Sequence, residues 1–319
     1  MVAALALREE EPLALEKYLS TEAGNVFQAT ASALGKAAPE NRSEESQQLI
    51  RALRAAEDFS GIAEIHPAWL LEVLRFESPR VIGVILRYLP SKHVRYLLEH
   101  FSHRIRLRLP KLIESFYVPN EILDLIRRRV ERHFAPMRIS HELQQLTFDK
   151  LYYLKMEELE ILFRDLGISE LALSLVGSSP KVIKVVLNRF MIRDGKEIMG
   201  RIRRFQGLDS WFVKEAKFSI FEVAEEELGP DRFLNELGLL AFAKASLNMP
   251  KDFYQIFRQK LQPKDAYMLK RIWDEKRGQS QPERNEKRQA WVLEHVERLG
   301  KTERIDSFWA ECVAHREAA

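Results

Sequence analysis

Few residues in this chain have types and spacings suited to chemistry. His100 and His103 stand three apart, a helical spacing at which two imidazoles could share a metal ion. Cys312 and His315 repeat that spacing, and a thiol beside an imidazole is the raw material of a nucleophile pair. Each pair has a plainer reading. The histidines fit a solvated helix turn, and the Cys312 pair sits in the last residues given, with little around it to close a cleft. Cys312 has no companion thiol, no two histidines flank a glutamate at the metalloprotease spacing, and no Gly-rich phosphate loop occurs. Glu77, just before Ser78-Pro79, is explained by the dipole of the helix that follows. The expectation is a protein with no catalytic residue, no metal and no cofactor, and so not an enzyme.

The elements that would have to position such groups are helices. Leu, Glu, Arg, Lys and Ala dominate, with only 13 Gly and 13 Pro in 319 residues, and no run of alternating apolar residues suggests a strand. Apolar residues at 46% and charged residues at 30% fit a soluble globular chain of about two domains. The lone Cys312 suits a reducing compartment. No stretch reaches the roughly 20 apolar residues of a membrane span, and the apolar start Met1–Leu7 is too short and lacks the basic lead of a signal peptide. The net charge of +3 hides two basic runs, Arg127–Arg129 and Arg201–Arg204. They read first as solvated helix faces. A protein or lipid partner with an acidic face is the next reading, and nucleic acid is not expected without aromatic platforms or a groove-reading motif.

Two stretches 101 residues apart are nearly the same. Ser78-Pro79-Arg80-Val81-Ile82 runs on to Leu86, and Ser179-Pro180-Lys181-Val182-Ile183 runs on to Leu187. Leu70, Leu74, Lys92, Leu97 and Phe101 match Leu171, Leu175, Arg193, Ile198 and Ile202 at the same offset. Each copy offers a serine N-cap and a proline in the first turn. A helical pattern repeated at a fixed offset is the mark of stacked helical units, which hold partners more often than they do chemistry. A third, weaker copy starts at Pro250 with Phe253, Ile256 and Phe257. Pro79–Leu89 is apolar nearly all round and is expected at the centre of its bundle.

The expected organisation is a helical segment over 1–60 with a linker at 35–43, a helical domain over 61–135, a linker over 136–146 and a second helical domain over 147–229. A further helical unit over 230–275 and a charged linker with terminal helices over 276–319 complete it. Within the second domain, separate helices are expected at 156–166 and 169–176, another over 180–190 and another over 193–205. Gly207 is expected to close the last of these as a left-handed cap.

These residues resemble the flagellar motor switch protein family FliG. Leu74 to Leu89, with Glu77-Ser78-Pro79-Arg80 leading into its apolar helix, resembles that family's middle domain, which has Glu-His-Pro-Gln at that place. Residues 147–224, through Thr147-Phe148-Asp149, Leu171–Leu175, Gly177 and Val213–Ala224, resemble its C-terminal domain. The resemblance covers about half of the chain. It implies an all-α fold of armadillo-like stacked repeats with a C-terminal helical extension, acting as a rotor component of the flagellar C-ring or a rotor-associated scaffold. It implies a contact with a FliM-like switch protein through Glu77, Ser78, Pro79 and Arg80, and self-association or stacking on related subunits. It further implies a charged helix facing the stator, here Arg193, Lys196, Arg201 and Arg204. The family's lysine falls here at Val176 and its acidic pair at Gly200 and Arg201, so two charges are lost and one is reversed, and reversal turns an attraction into a repulsion of similar size. The resemblance implies a cytoplasmic place at the inner face of the membrane at the basal body, with no insertion into the bilayer. The alternative reading is a non-flagellar adaptor of the same type that binds an acidic protein.

Overall fold

A computed structural model describes residues 59–109, 118–136, 145–223, 229–279 and 281–314. The helices and linker expected before residue 59, most of the 136–146 linker, Ala224 and His315 lie outside the described residues. Among the described residues every regular element is helical, so the fold is all-α. They fall into two compact units. The first holds 59–63 and 73–133, and the second holds 64–72 and 134–314.

In the first unit, α1 (Pro67–Leu74, of which the last two residues belong here) leads to α2 (Pro79–Leu86), α3 (Ser91–His100), the single turn α4 (His103–Arg106) and α5 (Asn120–Glu131). The Ser78 hydroxyl accepts the Val81 N–H at 3.4 Å, and Pro79 occupies the first turn, where its missing N–H costs nothing. Ile82 through Leu86 are all buried in α2, as the all-round apolar pattern predicts. α5 packs on α2 through a seam of Leu123, Ile126 and Val130.

The second unit is built around one long buried helix, α6 (Met156–Ser174). This corrects the expected pair of helices broken near Gly167. Gly167 is the point where α6 meets α10 (Pro230–Ala245) at backbone distance. A Cβ placed on Gly167 would lie 1.8 Å from the Leu234 carbonyl oxygen, and one on Gly238 would lie 1.7 Å from that of Phe163. The two glycines interlock the helices, and any side chain at either position would force the backbones apart. α8 (Ile192–Arg204) and α9 (Ser210–Val223) pack on α6 as well, and so does α13 (Pro282–Lys301). Between α6 and α8 lies α7 (Pro180–Leu187), and α11 (Lys251–Lys260), α12 (Pro263–Lys276) and α14 (Phe308–Ala314) complete the unit.

One apolar core runs from Leu146 to Cys312. The segments over 147–229, 230–275 and 276–319, expected as successive modules, therefore share a single interior. The charged stretch before Gln289, expected as a linker, is helical from Pro282 onward, because Asn285 and Arg288 turn inward while its other charges face water. Gly207 ends a short 3-10 turn without left-handed backbone, and the left-handed glycine is Gly177 at φ 75, just after α6.

Candidate functional site

Helix α6 carries three buried acids, and each anchors a different part of the unit. Glu158 accepts the Asp306 N–H at 3.0 Å and the Trp309 indole N–H at 3.1 Å, which fixes the approach to α14. Asp165, fully buried, takes the Arg201 guanidinium of α8 at 2.5 Å, the His295 Nδ1 of α13 at 2.6 Å and the Arg298 guanidinium, with Arg304 at 3.4 Å. Glu170 accepts from Arg288 at 3.1 Å, and Arg288 reaches Glu215 of α9 at 2.9 Å. Burial alone would raise the Asp165 pKa, but the bond to His295 and the charge of Arg201 outweigh it and hold the carboxyl well below its usual range. Burial pushes His295 below its ordinary value, against the pull of Asp165 and with the help of Arg298 and Arg201.

These anchors fix which face of α8 looks outward. Asp194, Ile198, Arg201 and Ile202 form its buried stripe at helical spacing. Asp194 is held by Arg164 of α6 at 2.9 Å, and Arg201 by Asp165, Glu197 and the Ser169 hydroxyl, each at 2.5 Å. Arg201, expected to face the stator, is therefore an interior residue, and that assignment is corrected. Arg193, Lys196 and Arg204 are exposed. Arg203, part of the basic run Arg201–Arg204, is exposed with them, and sequence reasoning did not single out exposed Lys184, or Met191 and Ile192 at the elbow between α7 and α8. Helical periodicity held the missed signal. Arg201 falls seven residues after Asp194, in register with Ile198 and Ile202.

The other predicted site sits at the start of α2 in the first unit. Glu77 accepts from Arg129 of α5 at 2.6 Å, and the Ser78 hydroxyl is engaged in capping, so neither offers a free group. What faces water at this corner is Arg80 and Phe76, with the Arg75 guanidinium 4.7 Å over the Phe76 ring.

Each unit has a groove between its proline-led helix and the next. The first encloses about 820 Å³ and includes Leu86, Arg95, Leu98 and Glu99. The second encloses about 630 Å³ and includes Leu187, Lys196, Met199 and Gly200, the residues 101 positions on. The first groove mixes Glu99 with arginines. The second has Lys196 and Arg203 and no acid.

The residues first weighed for chemistry do not converge. His100 Nδ1 lies 2.8 Å from the Tyr96 carbonyl oxygen of its own helix, and no cluster of metal-ligating side chains occurs among the described residues. Cys312 is buried, and its thiol is pushed up by that burial and by Glu311. Among the described residues no helix is long and apolar enough to cross a membrane.

Comparison of the chain with protein-family models and with curated proteins gives no match.

Proposed function

We propose that this chain is a FliG-like helical scaffold, a component of the flagellar rotor or a protein associated with it, working at the cytoplasmic face of the membrane through stacked armadillo-like units. The recurrence of one capped, proline-led helix with a groove beside it carries the reading. Ser78 at φ −66, ψ 146 and Ser179 at φ −66, ψ 149 each cap an eight-residue helix through the same 3.4 Å bond, and each helix borders an equivalent groove. Modular helical faces of this kind bind protein partners in the absence of any reactive constellation. The corner at Phe76 and Arg80 is the surface on which a FliM-like switch protein would sit.

The test is capture of a purified FliM-like switch protein by the full-length chain. Binding is expected, with a loss of tenfold or more for Phe76→Asp combined with Arg80→Glu. A folded chain that shows no binding sinks the reading. The interior position of Arg201, together with Gly200 on the outer face, favours a second reading in which the unit is an adaptor for an acidic protein. Conversion of Gly200 to Glu discriminates the two, since a stator contact of the family's polarity gains from an acid there and an adaptor for an acidic protein loses.

A further inference from the structure

Helix α7 and the outer face of α8 form a surface of unusual composition. Val182 and Val185 are 49% and 59% exposed, and Met191 and Ile192, at the elbow where the chain reverses, are 70% and 80% exposed. Lys181, Lys184, Arg189, Arg193, Lys196 and Arg203 stand around them in water, and none forms an ion pair among the described residues. The acids of α7 and α8 are Asp194 and Glu197, and Arg164 and Arg201 hold them. An exposed cluster of one charge sign, with no acid to neutralise it and large apolar side chains at its crest, calls for a partner that is anionic over a wide area and apolar beneath.

We propose that the α7–α8 elbow docks on an anionic phospholipid bilayer, with Met191 and Ile192 entering the headgroup region and the surrounding lysines and arginines pairing with lipid phosphates. The membrane is favoured over an acidic protein by the shape of the contact. Met191 and Ile192 stand at the rim of the α7–α8 groove with 70% and 80% of their surface in water, and a crest that exposed needs a deformable partner more than a complementary one. Binding by partial insertion plus charge is the physics of interfacial attachment, with each basic residue near the surface worth about fivefold in affinity. No span is involved. The surface lies on the second unit, so the outcome is independent of the switch-protein contact tested on the first.

The experiment is co-sedimentation of the full-length chain with vesicles of phosphatidylcholine alone and of phosphatidylcholine with phosphatidylglycerol, with circular dichroism confirming that each variant folds. Binding to the anionic vesicles only is expected, weakening as salt rises. Met191→Asp with Ile192→Asp and, separately, Lys196→Glu with Arg203→Glu should each reduce it tenfold or more, while Lys251→Glu on α11 leaves it unchanged. Failure to bind anionic vesicles overturns the proposal. So does binding that survives the Met191 and Ile192 changes, which would be charge attraction without docking. A folded chain that ignores vesicles but binds poly-glutamate assigns the face to an acidic protein instead.

Discussion

Helices α2 and α7 share a cap, a first-turn proline, a length and most of an apolar pattern, yet five consecutive residues of α2 are buried and none of α7. In the first unit α5 lies across α2. The positions 101 residues on from α5 fall at the end of α9 and the start of α10, and those two helices pack on α6 instead. α7 touches the core only along one edge, through half-buried Ile183, Val186 and Leu187. Local sequence determines where each helix starts and how long it runs, whereas its burial depends on which distant helix arrives to cover it.

The largest effect that would sharpen this contrast lies in what holds the second unit together. Replacing Asp165 by Leu removes the fully buried carboxylate that Arg201, His295 and Arg298 share and leaves Arg201 with Glu197 as its one acidic partner among the described residues, at a cost of about 3–5 kcal/mol in urea denaturation. Arg204→Ala, on the exposed side of the same helix α8, should stay within about 0.5 kcal/mol. Equal effects from the two would mean that the buried network does not organise α8. The same network sets an acid dependence. The lowered pKa of His295 means that, below its ordinary 6.5, the unfolded chain takes up a proton that the folded chain refuses, so stability falls with pH from there. The lowered pKa of Asp165 adds a loss of the same sign below its ordinary 3.8. Thermal melts of wild type and His295→Gln between neutral pH and pH about 5 check this, with a flatter profile expected for the variant.

A matched pair of valines tests the comparison directly. Val84 of α2 is buried and Val185, at the equivalent place in α7, is 59% exposed. Val84→Ala should cost roughly 2 kcal/mol for two buried methyl groups and the space they leave. Val185→Ala should change stability by less than about 0.5 kcal/mol. A substantial cost at Val185 would mean that something covers α7 in solution.

The all-helical fold, the starts at Pro79 and Pro180 and the burial of α2 were legible in the sequence, because caps, prolines and apolar periodicity act over a few residues. The organisation of the second unit was less so. A break was expected between 166 and 169, but Gly167 there answers to the Leu234 carbonyl oxygen far along the chain, which no local pattern shows. Asp165 and Glu170 are acids in an apolar stretch, and their partners Arg201, Arg288 and His295 come from helices that only the tertiary fold brings near. The basic run Arg201–Arg204 looked like one surface, although the helical period sends Arg201 inward and leaves Arg203 and Arg204 outside. Of the eight residues expected to form binding sites, Arg80, Arg193, Lys196 and Arg204 are exposed, while Glu77 and Ser78 serve their own unit.

The smallest expected effect separates the two helices by mechanism. Ser78→Ala and Ser179→Ala remove the same 3.4 Å capping bond, worth about 1 kcal/mol in each helix. The buried residues of α2 tie its first turn to the core, so opening that turn disturbs the packing beneath, and the loss at Ser78 should appear in the global unfolding free energy. The first turn of α7 meets the core only through half-buried Ile183. There the loss should appear as local fraying, with amide exchange at Val182 and Ile183 faster by about fivefold and little change in the global transition. If Ser179→Ala lowers global stability as much as Ser78→Ala does, α7 is as firmly packed as α2, and the exposed elbow beside it is not a free surface.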